Sequence, residues 1–190
     1  MPAALPCVYV SSGGDGYNCH EICQTLASDD RHISPTRFHN SVHNAAPGYW
    51  GIATGAMTPV SVLAAADASF GAGLLELLAT VATNHTGTLL IACDTPYPEP
   101  LHSVRPIPDL FGVALVATPE PGEFSIAHIR VELTRAHADT LTNPSLEAMR
   151  RNIPAARCLP LLQAIAHAMP TQIILDYLDQ TRIAIELTPC

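Results

Sequence analysis

Blocks of apolar and polar positions follow one another along the chain, and their periods switch between that of a strand and that of a helix. Leu5 to Val10 is a short apolar run ending in Ser11-Ser12-Gly13-Gly14-Asp15-Gly16, which predicts a buried strand leaving its sheet through a glycine turn. A helix is expected from Tyr17 to Ala27, with Ile22, Cys23 and Leu26 facing inward. Ser28 to Ser41 is polar and reads as a loop. Asn44 to Thr54 predicts a second helix, because Pro47 falls in its first turn and Gly55 closes it. Val60 to Leu63 then reads as a buried strand, and Ala68 to Leu78 as a helix with Leu74, Leu75, Leu77 and Leu78 on its inner side. Asp67 stands at the corner between them.

Thr86 to Cys93 predicts a parallel strand covered on both faces. Five prolines between Asp94 and Pro108 mark an irregular crossing loop. Leu110 to Ala117 and Phe124 to Leu133 read as strands around the turn Pro119-Glu120-Pro121-Gly122. In the second of them Phe124, Ile126, His128 and Arg130 lie on one side, and Ser125, Ala127, Ile129 and Val131 on the other. Ser145 to Arg151 and Pro154 to Ala168 look helical, and Ile173 to Leu178 with Arg182 to Leu187 predicts a hairpin about Asp179-Gln180. The alternation of strands and helices, without repeats, argues for one α/β layered domain over residues 1–190.

Composition adds a partner to this picture. Of the 190 residues 48% are apolar and only 14% charged, so part of the apolar surface is expected to meet another protein. Nine arginines and no lysine face seventeen acidic residues, for a net charge of -8, which argues against nucleic acid and anionic membranes as partners. The missing lysine also excludes Schiff-base chemistry and a Walker-type phosphate loop. No apolar run reaches the roughly 18 residues of a membrane span, and no basic-then-apolar leader opens the chain, so a cytoplasmic protein is expected. Cys7, Cys19, Cys23, Cys93, Cys158 and Cys190 are scattered, mostly in apolar segments, and read as reduced, buried small side chains.

Candidate chemistry is thin. A carboxylate at a strand-to-helix corner, as at Asp67, is ionised at neutral pH and a poor acyl acceptor; its plain role is to cap the helix. His39 and His43 have the spacing of a zinc pair, but the acidic base of a metalloprotease motif is missing and no metal is expected. Cys19 and Cys23 share a helix face without a second cysteine pair, and read as core. Cys93, Asp94 and His102 could compose a hydrolase triad, yet a proline-rich loop follows Cys93 where a helix N-terminus would be needed. No cofactor is expected.

The run S-P-T-R-F-H-N-S-V-H-N-A-A-P-G-Y-W-G-I-A-T-G from Ser34 to Gly55, followed by D-A-S-F-G-A-G from Asp67 to Gly73, resembles the N-terminal half of a β-ketoacyl synthase. It is more closely similar to the small chain-length-factor-like subunits of aryl polyene and other type II polyketide systems. The resemblance implies a single thiolase-like half, an αβα sandwich whose five-stranded mixed sheet is cut short. It puts Asp67 where the family keeps its nucleophilic cysteine, and neither N-x-H-G-T nor G-H, the patterns of the family's catalytic histidines, occurs. A catalytically inactive partner of a ketosynthase is implied, one that shapes the tunnel in which an acyl or polyene chain grows. The two would form a heterodimer through the edge strand Pro59 to Ala65, and acyl carrier protein would be engaged only through the ketosynthase.

On the same resemblance the first helix lies over the tunnel, with Tyr17, His20, Cys23 and Gln24 as gate residues. Arg37 and Phe38 reach toward the neighbouring pocket, His39, His43 and Asn44 line the subunit boundary, and Ser69 and Phe70 complete the tunnel or interface set. Related subunits carry a further central strand and helix upstream of the segment matching Leu5. Either the sheet closes over that gap, using strands from the C-terminal third, or the chain starts short. Two readings of other classes compete: an active acyl-processing enzyme using Cys93 or Asp67, and a self-associating structural domain.

Overall fold

The computed structural model describes residues 4–190, and its packing is organised by the helix α4 (Ser69–Asn84). Phe70, Leu74, Leu77 and Val81 recur at helical spacing and are buried, as are Gly71 and Gly73. The two glycines let backbone approach on opposite sides. A Cβ on Gly73 would stand 2.7 Å from Val10 and 2.9 Å from Leu90, and one on Gly71 would stand 2.7 Å from the Tyr177 ring. One sheet therefore packs on each side of α4.

The first sheet contains β1 (Cys7–Val10), β2 (Val60–Leu63), β3 (Thr88–Asp94) and β4 (Phe111–Ala117), in the order β2-β1-β3-β4. β1 runs parallel to both β2 and β3, and β4 is antiparallel to β3. The second sheet is antiparallel and contains β5 (Ala127–Thr134), β6 (Thr171–Asp176) and β7 (Arg182–Pro189) in the order β5-β7-β6. One core joins Val8, Val10, Leu90 and Ala92 of the first sheet, Phe70 and Leu74 of α4, and Ile183, Ile185 and Leu187 of the second. The remaining helices are α1 (Gly16–Ala27), α2 (Pro35–Asn40), α3 (Ala45–Thr54), α5 (Leu101–Val104), α6 (Pro144–Asn152) and α7 (Leu159–His167). Mixed strands between helical layers make the α/β sandwich that was expected.

Several expectations are corrected. The sheet is four-stranded, with a separate three-stranded sheet beside it, and not five-stranded. β1 pairs directly with β3, so the first sheet closes with no strand between them and none from the C-terminal third. Helix α2 occupies part of the expected loop, because Ser34 Oγ accepts from the Arg37 amide and Pro35 stands in the first turn. α4 continues to Asn84 and ends on His85 in the left-handed region, φ 48°. The helix expected from Pro154 to Ala168 is a 3-10 turn, Pro154–Cys158, followed by α7. β2 is a half-exposed edge strand and not a buried one.

The first helix departs most. Only Gly16 is buried in α1, Ile22 is half-buried, and Cys23 and Leu26 are exposed. All six cysteines are free, but Cys19, Cys23 and Cys190 are exposed, and only Cys7 and Cys158 are fully buried. The inward face predicted for α1 therefore looks away from the core.

Candidate functional site

The corner between β2 and α4 is a 3-10 turn, Ala66–Ala68, with Ala66 in the left-handed region at φ 46°. A side chain there is strained by about 1–3 kcal/mol, and the buried Ser69 holds it. Its Oγ donates to the Ala66 carbonyl at 2.7 Å and accepts from the Ala65 amide at 3.0 Å. Asp67 sits at the tip. The residue before α4 is Ala68, and no side chain bonds the first amides of the helix, so the capping role expected of Asp67 is not the one it plays.

Instead its carboxylate meets two arginines. Arg105 Nη2 donates to Asp67 Oδ1 at 2.7 Å, and Arg157 Nη2 lies 3.6 Å from Oδ2. Burial works against the Arg105 charge, but the bond and charge of Asp67, with Tyr97, outweigh it and hold the guanidinium pKa above its ordinary value. Arg105 comes from the proline-rich loop after α5, and Arg157 from the turn before α7. Both escaped the reading of the chain, since no local pattern says which distant carboxylate an arginine will meet. Asp67 and Arg157 open onto a cavity of about 610 Å³, with Tyr177, Gln180 and Thr181 of the β6–β7 turn on its far wall. The two guanidinium groups favour the ionised form of this carboxylate.

A second cavity, of about 340 Å³, opens at the C-terminal ends of β1 and β3 beneath α1 and α3. Tyr9, Asn18, Asn40, His43, Tyr49 and Cys93 line it. Tyr9 Oη and Cys93 Sγ are 3.0 Å apart, and burial pushes both groups' pKa values up, keeping the thiol protonated. Asp94 is 3% exposed and accepts from the amides of Ser12 and Ala155, each at 2.7 Å. Two members of the Cys93–Asp94–His102 triad weighed from the sequence, Cys93 and Asp94, are thus engaged with other groups.

Of the residues singled out from the sequence, Asp67 lines the first cavity and His43 and Cys93 the second. His43 Nε2 faces the Ser11 carbonyl at 3.3 Å, while His39 is exposed on α2. Tyr17, Cys23 and Gln24 are exposed and His20 is half-buried on α1, and none of the four borders either cavity. On α1 it is Asn18, with the capping residue Asp15 just before the helix, that borders the second cavity. Arg37 pairs with Glu21 at 3.3 Å, Phe38 is exposed, and Asn44 precedes α3 without capping it. Ser69 and Phe70, expected in the tunnel or interface set, are buried at the corner and in the core. Around α1 to β2, Tyr17, Leu26, Phe38, Ile52, Met57 and Val60 form an exposed apolar set, with Met57 96% accessible.

The family model for the β-ketoacyl synthase N-terminal domain matches residues 2–172. No curated protein matches the chain. Among solved structures, a chain in the complex of the ketosynthase ApeO with its chain length factor ApeC from Xenorhabdus doucetiae superposes with a TM-score of 0.74. It is 22% identical, and the alignment covers 96% of this chain and 69% of that one. The ishigamide ketosynthase/chain length factor gives a TM-score of 0.64 at 12% identity, covering 100% of this chain and 74% of that one. These likenesses show that the chain shares the thiolase-like α/β fold of those proteins. With most of its length matched, the chain belongs to the β-ketoacyl synthase N-terminal domain family.

Proposed function

We propose that this chain is a catalytically inactive, chain-length-factor-like partner of a ketosynthase, working in the cytoplasm as one ketosynthase-like domain. The observation that carries the reading is Asp67, ion-paired to Arg105 at the strand-to-helix corner where the family places a nucleophile. A charged, already bonded carboxylate there leaves carbon–carbon bond formation to the partner's cysteine. The exposed edge strand β2 supports a heterodimer, since an unpaired apolar edge invites another strand. The exposed apolar side chains between Tyr17 and Val60 offer further surface to such a partner.

In this role the chain completes the wall of a tunnel that holds a growing acyl or polyene chain, as in aryl polyene or type II polyketide assembly. Arg37, Phe38, His39 and Asn44 lie at the subunit boundary, and His43 reaches the second cavity. The net charge of -8 opposes direct docking of an acidic acyl carrier protein, which is engaged through the ketosynthase. The corner needs no cofactor or metal for this work.

Co-expression with the ketosynthase encoded beside it tests the reading. A heterodimer that elongates malonyl and acyl thioesters, while this chain alone does not, is the expected result. Condensation by the chain alone would return it to the acyl-processing enzymes, and a homodimer indifferent to the ketosynthase would make it a structural domain.

A further inference from the structure

The strands that end the two sheets differ in how their outer edges are guarded. On β6 the guard is Asp139, whose carboxylate accepts from the Ile174 amide and whose own amide donates to the Ile174 carbonyl, each at 2.8 Å. On β5, His128, Arg130 and Glu132 stand on the exposed face, and charges of this kind deter a chance neighbour. β2 is short and is the edge assigned above to the ketosynthase. β4 carries no guard of either kind. It runs F-G-V-A-L-V-A without a charge or a proline, in unbroken register with β3. Alternate residues of such an edge turn both N–H and C=O outward, and no other backbone group among the described residues bonds those of β4. Phe111, Val113 and Leu115 are half-buried against the main core, while Gly112, Ala114 and Val116 are exposed and no larger than valine. A strand added here would extend the core with one face and meet no bulky side chain on the other.

Charge at the two ends of β4 selects the strand that fits. Asp109 precedes it and Glu120 and Glu123 follow it, all exposed, in a chain of net charge -8. A second copy laid antiparallel along this edge would bring Asp109 of one chain toward Glu120 of the other, which like charge opposes. Basic flanks match both ends, in either strand direction. We propose that β4 is a docking edge for another protein, taking an extended apolar segment flanked by arginine or lysine as a fifth strand of the first sheet. β-branched side chains on that segment suit the face beside Phe111, Val113 and Leu115. β2 and β4 are opposite ends of the sheet, so the inference stands apart from the ketosynthase reading.

The full chain is titrated into the fluorescein-labelled peptide R-R-V-T-I-T-V-T-V-R-R, and binding is read by anisotropy. A second peptide has glutamate for each arginine, and a third has two prolines in place of the central I-T, which removes strand pairing on both of its edges. The basic peptide is expected to bind at least about tenfold more tightly than the acidic one, with the gap closing as salt rises, and the proline peptide should not bind. Amide hydrogen exchange should slow at alternate residues within 111–117 when the basic peptide is bound, and stay unchanged at 60–63. Ala114→Lys should weaken binding at least about tenfold, and Val116→Lys serves if Ala114→Lys fails to fold. Equal affinity for the basic and acidic peptides overturns the proposal. So does binding of the proline peptide, protection at β2 or β5 instead of β4, or no binding at millimolar peptide. A chain that is dimeric on gel filtration and monomeric as Ala114→Lys would give the edge to a second copy, and would overturn it too. Ketosynthase association without peptide binding would sink this inference alone, and peptide binding without that association would sink the proposed function alone.

Discussion

Asp67 has ion partners at the corner proposed to match a condensing enzyme's thiol, and a substitution can separate position from chemistry. In Asp67→Cys the new sulfur would lie beside Arg105 and Arg157, which favour the thiolate. Peptide mapping after iodoacetamide treatment at neutral pH should find residue 67 alkylated faster than Cys93, whose thiol burial keeps protonated. Condensation should remain undetectable. Ser69→Ala is the matching stability test: the hydroxyl is 2% exposed and serves two backbone groups, so its loss should cost about 1–3 kcal/mol in chemical denaturation. The corner itself was legible in the chain, since the change from a β-branched run to a leucine stripe marks where strand gives way to helix. Arg105 and Arg157 were not, because tertiary placement alone chose them.

Among the elements, β2 ends its sheet with no strand paired to its outer side among the described residues, as β4, β5 and β6 end theirs. Val60→Lys and Ile52→Glu place charge on that edge and on exposed α3 surface. Each should leave the thermal midpoint of the chain within a few degrees while weakening ketosynthase association by at least about tenfold, as a charge buried in an apolar interface does. Gel filtration of the co-expressed pair reads the outcome. The places of most strands and the α4 stripe could be read from periodicity, but strand order and the orientation of α1 could not. Ile22, Cys23 and Leu26 have helical spacing, yet that spacing says only that they share a face, not whether the face meets this core or another protein. The start of α2 was written in Ser34-Pro35 and hidden by the polarity around it.

For the whole molecule, the second sheet is tied to α6 by Arg150, 7% exposed, which bonds Glu147 and Asp176. The Arg150 bond, with the Leu141 amide, lowers the Glu147 pKa to about 2. A carboxyl depressed in the folded state stabilises fully above its ordinary range and loses that contribution as pH falls toward the folded value. Stability measured by urea unfolding should therefore decline from about pH 4.5 toward pH 2, and Glu147→Gln should flatten that slope. An unchanged slope would place the acid sensitivity elsewhere.

The carboxylate of Asp94 reaches in two directions at once, to an amide just past β1 and to one in the turn before α7. Cutting the chain anywhere between β4 and Ala155 would strand a charged oxygen in an apolar interior with half its partners gone. The segment that carries the corner, the strands beneath the second cavity and the β2 edge cannot then be excised as a working minimal fragment, and engineering of this protein must carry its C-terminal sheet along.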